Sequence, residues 1–473
     1  MPNHGVYVSE RGTSVSTPVV VETGVPFVIG VSPINQAENP AAVGVPAICT
    51  SYSDFVNKFG YSDDWEKYPL CEFAYSHFKL FGMQPAIFVN LLDPGTMKTA
   101  VAASDISLSN YKLKLEKTAI IDDTLVVKPQ GGTGTAYVKD TDYAVYVDAD
   151  GDVVVEVLED GACYSASKLN IAYNKVTPTS VTASTVATGL EAIDLCMTSV
   201  GIVPDLIVAP GYSENASVSA VMAAKAGSIN GMFKAIALID ISTTSADTYD
   251  DVPTVKASAG VTSGMEIPCW PMGKLDDKKF HMSTLLAGVI AITDEDYGAP
   301  YASPSNKALP INGLILSDGT EVNLTLAQAN VLNANGVLTA LNFMGGFKTW
   351  GNYTAAYPEI TDVKEYFIPI RRMFGWVGAT LIRTFWSRLD GPLTRVQIDS
   401  IVDTANIWMN GLAGSGYILG GRVEYAAEDN PTTSLMAGII KLHVFMTPPS
   451  PMQEIDFTLE YDVSYVESAF AED

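Results

Sequence analysis

Well-patterned β-strand sequence lies close to both ends of this 473-residue chain. Residues 5–33 read GVYVSERGTSVSTPVVVETGVPFVIGVSP, with β-branched residues on both sides of a polar gap, and residues 452–467 read MQEIDFTLEYDVSYVE. Chain ends usually fray, and an unpaired strand offers a row of free backbone N–H and C=O groups. Strands in these two places therefore require a sheet elsewhere that completes them.

Composition and charge exclude several classes of function. An apolar content of 47% with 17% charged residues indicates a globular chain. The net charge of -25 argues against binding to nucleic acid or to an anionic membrane surface. The apolar run at 285–292 is too short to span a bilayer, and residues 5–33 lack the basic start and cleavage site of a signal peptide. We therefore expect a soluble protein without a membrane segment.

The first and middle parts of the chain predict a mixed α/β fold. Residues 50–82 have helical spacing of apolar residues, and residues 84–92 indicate a buried strand. Residues 204–241 have the order strand, loop, helix, strand, and a further strand is predicted at 264–271. The apolar run 285–292 indicates a buried strand or helix, and we predict a fourth strand at 285–294. Continuous apolar strands are typical of a parallel sheet covered by helices on both faces, so we predict a doubly wound sheet over residues 185–345.

Two other stretches differ from this pattern. Residues 97–180 are rich in threonine and short strands, and residues 143–158 indicate a hairpin around an Asp/Gly turn. Residues 393–416 predict a helix, followed by three strand runs. The glycine-rich stretch 411–416 follows this helix instead of opening one, so it indicates a helix C-cap and not a phosphate-binding loop.

We accordingly predict an α/β multidomain protein with a β-rich insertion and an α+β C-terminal domain. The predicted parts are an N-terminal arm (1–25), an N-terminal α/β part (26–96), the β-rich insertion (97–180), a doubly wound α/β domain (181–345), an inner C-terminal domain (346–455) and a C-terminal arm (456–473).

Sequence patterns for metal binding or catalysis are weak. Asp148, Asp150, Asp152 and Glu159 fit positions of a calcium loop, but Val153 occupies the obligatory glycine position, and a hairpin turn is the better interpretation. The five cysteines form no C-x-x-C pair and are expected to be free thiols. The histidines belong to no catalytic motif; they are His4, His77, His281 and His443. We predict no cofactor, no metal and no enzymatic activity.

Arginine is concentrated in one segment. Six of the seven arginines fall between residues 371 and 422: Arg371, Arg372, Arg383, Arg388, Arg395 and Arg422. One interpretation is ion pairing inside the domain, for example with Asp390, Asp399 or Asp403. The alternative is a face presented to an acidic partner, because the guanidinium group suits interface carboxylates. The sequence leaves both open.

Several segments, in their order along the chain, resemble the tail sheath proteins of contractile injection systems, namely contractile-tailed phages and R-type bacteriocins. These segments are the opening GVYVSERG…TPVVVETGVPFVIG, PDLIVAPGYSENASVSAVMAAKAG (204–227), FKAIALIDI (233–241), DYGAPYASPSNKALPINGL (296–314), GGFKTWGNYT (345–354), YFIPIRRM (366–373), SIVDTANIWMNGLAGSGYILGG (400–421) and AGIIKLHVFMTPPSPMQEIDFTLEYDVS (437–464). The insertion matches the family in position only.

The resemblance implies a structural protein that polymerises as a helical sheath of hexameric discs around a rigid tube. Contraction of the sheath drives the tube through the envelope of the target cell. The implied partners are other copies of the chain, the tail tube protein, and baseplate and tail terminator proteins, in a virion tail or bacteriocin particle assembled in the host bacterial cytoplasm. A non-contractile shell or surface-layer protein, or an α/β hydrolase, remains the alternative.

The resemblance also implies that the terminal arms complete sheets in neighbouring subunits by strand addition. The residues expected to do so are Val6, Tyr7, Val8, Val19, Val20, Phe457, Leu459, Tyr461 and Val463. A tube-facing surface is expected within the arginine segment, with Arg371, Arg372, Arg383, Arg388 and Arg395 as candidates, of which two or three are expected to reach the tube.

Overall fold

A computed structural model describes residues 18–148 and 151–470 of the chain. The strands among these residues are β1 (Pro26–Gly30), β2 (Ala47–Cys49), β3 (Ala86–Asn90), β4 (Lys98–Ser107), β5 (Lys112–Leu115), β6 (Val126–Pro129), β7 (Tyr143–Val147), β8 (Val153–Val157), β9 (Lys168–Val176), β10 (Leu206–Val208), β11 (Ile236–Asp240), β12 (Glu266–Cys269), β13 (Met272–Leu275), β14 (Lys278–Phe280), β15 (Gly313–Ile315), β16 (Glu321–Val322), β17 (Thr339–Asn342), β18 (Phe347–Trp350), β19 (Gly420–Glu424) and β20 (His443–Thr447).

The α-helices among the same residues are α1 (Tyr52–Phe59), α2 (Pro69–Ala74), α3 (Ala183–Gly189), α4 (Cys196–Ser199), α5 (Ala216–Gly227), α6 (Val252–Ser258), α7 (Met282–Tyr297), α8 (Leu326–Ala334), α9 (Val363–Tyr366), α10 (Ile368–Phe385), α11 (Arg395–Gly414), α12 (Thr432–Met436) and α13 (Ser464–Ala469). A π-helical turn, Tyr75–Leu80, continues α2. None of the helices in the described ranges is long and apolar enough to cross a bilayer.

A six-stranded sheet forms the centre of the subunit, in the order β12-β11-β10-β1-β3-β2. All pairs are parallel except the edge pair of β2 with β3. Every residue of β1, β3, β10, β11 and β12 is buried, which requires cover on both faces because alternate side chains point to opposite sides. The ranges 26–96 and 181–345 therefore contribute strands to one sheet and share one core.

Most local predictions in this part are confirmed. The helices predicted within 50–82, the buried strand within 84–92 and the strand–helix–strand order within 204–241 are all present, and β12 lies within the strand predicted at 264–271. The N-terminus of α1 is fixed by Ser51, whose side chain accepts a hydrogen bond from the Asp54 N–H, as an N-cap does.

The strand predicted at 285–294 is wrong, because α7 occupies these residues. Nearly all of α7 is buried, and its central run 285–292 is apolar throughout, so the periodicity of this run does not distinguish a helix from a buried strand. The decisive features are its length of 16 residues and Gly298, which ends the helix in the left-handed conformation at φ 72°.

The predicted β-rich range 97–180 contains two three-stranded antiparallel sheets, β4-β9-β6 and β5-β8-β7. The predicted hairpin is β7 paired with β8. These sheets enclose a hydrophobic cluster separate from the central core. The range begins and ends at one place, since the Thr177 N–H donates to the Met97 carbonyl at 2.9 Å.

The last part of the chain packs against the central core through α10 and α11, and the predicted helix at 393–416 is confirmed as α11. Gly416, with φ 78°, lies two residues beyond its end and confirms the predicted glycine turn. Two of the three predicted strand runs form β19 and β20, which pair with each other. The third run, in the C-terminal arm, forms no strand within the described residues.

Candidate assembly surfaces

The C-terminal tail, residues 448–463, extends from β20 without a pairing partner within the described part of the subunit. Its apolar side chains occur at every second position and are exposed: Ile455 63%, Phe457 84%, Leu459 95%, Tyr461 82% and Val463 57%. The positions between them carry Asp456, Thr458, Glu460 and Asp462. This alternation is the signature of a strand with one buried face, yet nothing in the described subunit buries it.

The first residues of the tail are extended and attached to the body of the subunit. Pro448, Pro449 and Pro451 favour an extended backbone, and the Tyr353 hydroxyl donates to Gln453 Oε1 at 2.9 Å. The ring of Tyr353 is itself stacked on Tyr357 at a centroid distance of 4.0 Å. The tail therefore leaves the subunit from a fixed point, and α13 follows its strand-patterned segment.

The N-terminal arm is described only from residue 18, so Val6, Tyr7 and Val8 lie outside the described residues. Val19 and Val20 are 47% and 54% exposed and belong to no strand of the subunit. Their environment is compatible with a surface contact, and the strand addition expected of them stays a prediction.

Residues 19–25, which we call the arm root, are bound along one side of α10. The Val19 N–H donates to Thr384 Oγ1 at 3.0 Å, and Trp376 Nε1 donates to the Val21 carbonyl at 2.9 Å. Closer to β1, Arg372 Nη2 donates to Thr23 Oγ1 at 3.2 Å. The arm root thus follows α10 toward its C-terminal end.

The assignment of Arg371 and Arg372 to a tube-facing surface is wrong, because both residues are only 5% exposed. Arg371 Nη1 lies 3.1 Å from Glu365 Oε1. Arg372 donates to Asp294 and to Asp205, with Nη2–Oδ2 distances of 2.5 and 2.7 Å. These two arginines follow the intradomain ion-pairing alternative, although with other carboxylates than those expected.

The remaining candidates, Arg383, Arg388 and Arg395, lie at the tip where α10 turns into α11. Arg388 and Arg395 are exposed, and Arg383 is half-buried. Arg395 pairs with Asp399 at 2.9 Å, while Arg383 and Arg388 form no ion pair with the described residues. Apolar side chains share this helical-hairpin tip and are exposed: Trp386 57%, Leu389 61% and Val396 76%. The tip therefore combines free cations with apolar surface.

The β19–β20 hairpin is a further surface that the sequence analysis did not single out. One edge of this two-stranded sheet contacts α11, where Asn406 Nδ2 donates to the Val423 carbonyl at 2.9 Å and Asn406 Oδ1 accepts from the Val423 N–H at 2.7 Å. Asn406 thus binds both backbone groups of Val423, as a neighbouring strand would. No sequence motif marks this contact, because the two residues are 17 positions apart.

Polar clusters elsewhere are structural. Asp148 and Asp152 both pair with Lys114, at 2.8 and 2.9 Å, and no group of metal-ligating side chains is present in the described residues. His281 Nδ1 lies 2.8 Å from the Glu72 carboxylate. Burial alone would lower the pKa of His281, but the attraction of Glu72 outweighs it and raises this pKa to about 9.

No protein-family profile matches the chain. The chain is nevertheless similar to curated proteins, in one case along nearly its full length. It is 26% identical over 484 residues to the tail sheath protein of Burkholderia phage BcepMu, covering 98% of this chain and 97% of that protein. It is 30% identical over 146 residues to the major tail sheath protein of Serratia phage KSP20, covering 31% of this chain and 35% of that protein.

Solved structures with the same fold are components of contractile particles. The baseplate structure of the anti-feeding prophage contains a chain that superimposes with a TM-score of 0.59 at 16% identity, covering 98% of this chain and 99% of that one. The sheath of an extracellular contractile injection system in its contracted state gives a TM-score of 0.59 at 15% identity, with the same coverage. Along nearly its full length the chain is thus similar to contractile tail sheath proteins, and these likenesses support a structural tail sheath function.

Proposed function

We propose that this chain polymerises into a helical sheath around a rigid tube, with the terminal arms of each subunit completing β-sheets in its neighbours. The observation that carries this proposal is the C-terminal tail, in which five alternating apolar residues are more than half exposed. An exposed strand of this kind is an aggregation hazard unless a defined partner covers it. Strand addition supplies backbone hydrogen bonds and buries the apolar row at once.

The geometry of the arm attachments supports this assignment. The tail is anchored at Gln453 and the N-terminal arm root along α10, so both segments start from fixed points on a folded core. A contact between one site on a subunit and a different site on its neighbour does not close on itself, and it generates an open helical lattice. Extended linkers let neighbouring subunits rotate during contraction without dissociating.

The tip between α10 and α11 is the proposed contact with the tube. Arg383, Arg388 and Arg395 form a locally basic surface in a chain with a net charge of -25, which suits an acidic tube. Individual contacts between exposed charges contribute only about 0–1 kcal/mol, but they repeat with every subunit. Such a contact holds the extended sheath in register and still releases during contraction.

The remaining proposed partners are other copies of the chain in hexameric discs, the baseplate and the tail terminator. The proposed site of assembly is the cytoplasm of the host bacterium. The insertion at 97–180 is proposed to lie on the outer surface of the sheath, away from the tube.

Shortening of the chain tests the proposal. A chain ending at Met452 and a chain lacking residues 1–17 should each stay folded but fail to form tubes in negative-stain electron microscopy, whereas the full chain forms them.

A matched pair of variants separates the effect of the apolar row from the effect of tail length. Changing Phe457, Leu459 and Tyr461 to serine should abolish tubes, and changing Asp456, Thr458 and Glu460 to serine should not. Normal tubes from the chain ending at Met452 would overturn the proposal, and flat lattices instead of tubes would favour a surface-layer protein.

A further inference from the structure

The β-rich insertion has one end near the body of the subunit and one end far from it. At the near end, Gln36 Nε2 donates to the carbonyls of Lys117 and Gly151 at 2.8 and 3.0 Å. Strands β5 and β8 lead away from this contact, and the nine residues of β9 span roughly 30 Å. Three loops lie at the far end, which we call the distal tip: 108–111, 138–142 and 158–167.

The distal tip is held together by Asp142. Its carboxylate accepts hydrogen bonds from the N–H groups of Val138 and Ala162, at 2.8 and 2.9 Å, and these bonds lower the pKa of Asp142. Its carbonyl accepts from the Leu158 N–H at 3.0 Å. One residue thus bonds two of the three loops to each other, which orders the surface before any partner binds.

The turn that leads into β5 carries an aromatic residue where glycine is preferred. Ser109 and Lys112 exchange both backbone hydrogen bonds, at 2.8 and 3.0 Å. The two residues between them, Asn110 and Tyr111, have φ values of 50° and 63°. A two-residue turn with positive φ at both positions prefers Asn-Gly, because a side chain is disfavoured in the left-handed region. Tyr111 therefore occupies a strained position, and such strain concentrates at functional sites.

The ring of Tyr111 lies on the surface of the distal tip. It stacks on the ring of Tyr164, with a centroid distance of 4.6 Å and an angle of 5° between the two planes. One face of the Tyr111 ring is covered in this way, yet the residue is 51% exposed, so the other face is open to solvent. The pair forms a flat aromatic platform with Tyr164 behind it.

Polar and acidic side chains accompany the open ring. Ser109 and Asn110 precede it in the chain, and Glu159 and Asp160 lie in the loop of Tyr164; all four are exposed. The carboxylates repel phosphate groups, which argues against nucleic acids and anionic lipids. One open ring is also much smaller than the apolar core of a stable protein interface. It fits a sugar ring, which offers C–H groups on its face and hydroxyl groups around its edge.

We propose that the distal tip binds a neutral pyranose unit of a polysaccharide, stacked on the open face of Tyr111, with hydroxyl groups that donate to Glu159, Asp160 and the Asn110 side chain. This inference goes beyond the proposed function, which gives the insertion only an outer position. Tyr164 is a positioning residue, since it supports the Tyr111 ring from behind. Each subunit of a sheath carries one distal tip, so weak single contacts combine on a polymer that repeats the sugar.

A microarray of neutral and anionic microbial polysaccharides, probed with the fluorescently labelled full chain, tests the assignment. The wild type should bind neutral hexose polymers and not anionic ones. Tyr111→Gly should raise the concentration needed for half-maximal binding about tenfold or more, and Tyr111→Phe, which keeps the ring, should not. Tyr146→Ala is the matched control, because Tyr146 is also exposed but lies on β7 outside the distal tip, with its hydroxyl bonded to Glu156 at 2.9 Å.

The glycine variant also separates recognition from stability. Glycine relieves the left-handed strain at position 111, which offsets the lost stacking on Tyr164. Tyr111→Gly should therefore unfold at no lower temperature than the wild type and should form the same tubes in electron microscopy. A role in folding alone would instead lower the unfolding temperature and leave binding unchanged.

Three results would overturn the assignment. The first is that the wild type binds no neutral polysaccharide on the array. The second is equal binding by the wild type and Tyr111→Gly. The third is loss of tubes in a folded Tyr111→Gly chain, because the distal tip would then be a contact between copies of the subunit.

Discussion

The guanidinium group of Arg372 holds the carboxylate of Asp294 inside the subunit, with N–O distances of 2.7 and 2.5 Å. The two side chains are only 3% and 1% exposed. Asp205, directly before β10, joins them at 2.7 Å and also accepts hydrogen bonds from the N–H groups of Gly24 and Val25. One cation on α10 therefore links α7, the central sheet and the arm root.

Removal of this cation should destabilise the subunit strongly. Arg372→Met leaves the Asp294 carboxylate buried without its partner, and loss of one member of a buried pair costs about 3–5 kcal/mol. Arg395→Gln is the control, since Arg395 and Asp399 are at least half exposed and their pair should contribute no more than about 1 kcal/mol. Urea denaturation measures both. If Arg372→Met lowers the free energy of unfolding by less than Arg395→Gln does, the stabilising role of the pair is contradicted.

The same pair shows what the sequence could not predict. Its partners are 78 and 167 residues away from Arg372, and nothing local identifies them. A signal for burial was nevertheless present, because Arg371 and Arg372 stand between apolar residues in IPIRRMFGWVG at the start of a helix with a broad buried face. Arg388 and Arg395 lack such neighbours on both sides and are exposed. Local apolar context thus separates buried from exposed arginines better than their clustering does.

Acid should destabilise the subunit through His77. This side chain is 1% exposed, and neither ring nitrogen makes a well-formed hydrogen bond within the described residues. Burial lowers its pKa from the ordinary 6.5 to about 4. The unfolded chain takes up this proton first, so the free energy of unfolding should fall as the pH falls from about 6.5 to about 4, by roughly 3 kcal/mol. His77→Met should remove that part of the pH dependence, whereas His443→Gln, at an exposed site, should not.

Alkali should act through His281 in the opposite direction. Its pKa is raised to about 9 in the folded subunit, so its contribution to stability is complete below about pH 6.5 and is lost as the pH rises through 9. The shift corresponds to about 3 kcal/mol at most. Chemical denaturation at several pH values between 6 and 10 should show the free energy of unfolding of the wild type falling toward that of His281→Gln. A constant difference between the two proteins over this range would contradict the ion pair with Glu72.

Local elements were predictable wherever one chain segment determines them, and β3, α5, β11 and α11 are examples. Helix α7 was mistaken for a strand because complete burial removes the periodicity that distinguishes the two. The joining of β1 and β10 in one sheet depends on partners about 180 residues apart, beyond the range of any local pattern. The hairpin edge closed by Asn406 was missed for the same reason, although the strand pattern of the tail itself was visible in the sequence.

Replacement of residues 98–176 by a short Gly/Ser linker should leave the rest of the subunit folded. The two ends of this range are adjacent, since Thr177 bonds to Met97, and the range has its own hydrophobic cluster. The replacement removes four hydrogen bonds of Asn35 and Gln36 to the backbone of the insertion, of which two are exposed and two are partly buried. We expect tubes of reduced diameter in electron microscopy and a far-ultraviolet spectrum depleted in β-structure. Failure of the shortened chain to fold would show that the insertion supports the core.

The tube contact should depend on the exposed arginines and not on the buried ones. Arg388→Glu reverses a charge that forms no ion pair within the described residues, at the tip between α10 and α11. The free energy of unfolding should therefore be unchanged within about 0.5 kcal/mol, while assembly of the extended sheath on purified tube protein should decrease. Arg383→Glu should act similarly. Salt should weaken assembly of the wild type on the tube, because contacts between exposed charges are screened beyond about 10 Å at 0.1 M ionic strength. Arg388→Glu should show a smaller salt dependence, since it has already lost one such contact. If reversal at 383, 388 and 395 together leaves tube-templated assembly and its salt dependence unchanged, the tube is bound by another surface of the subunit.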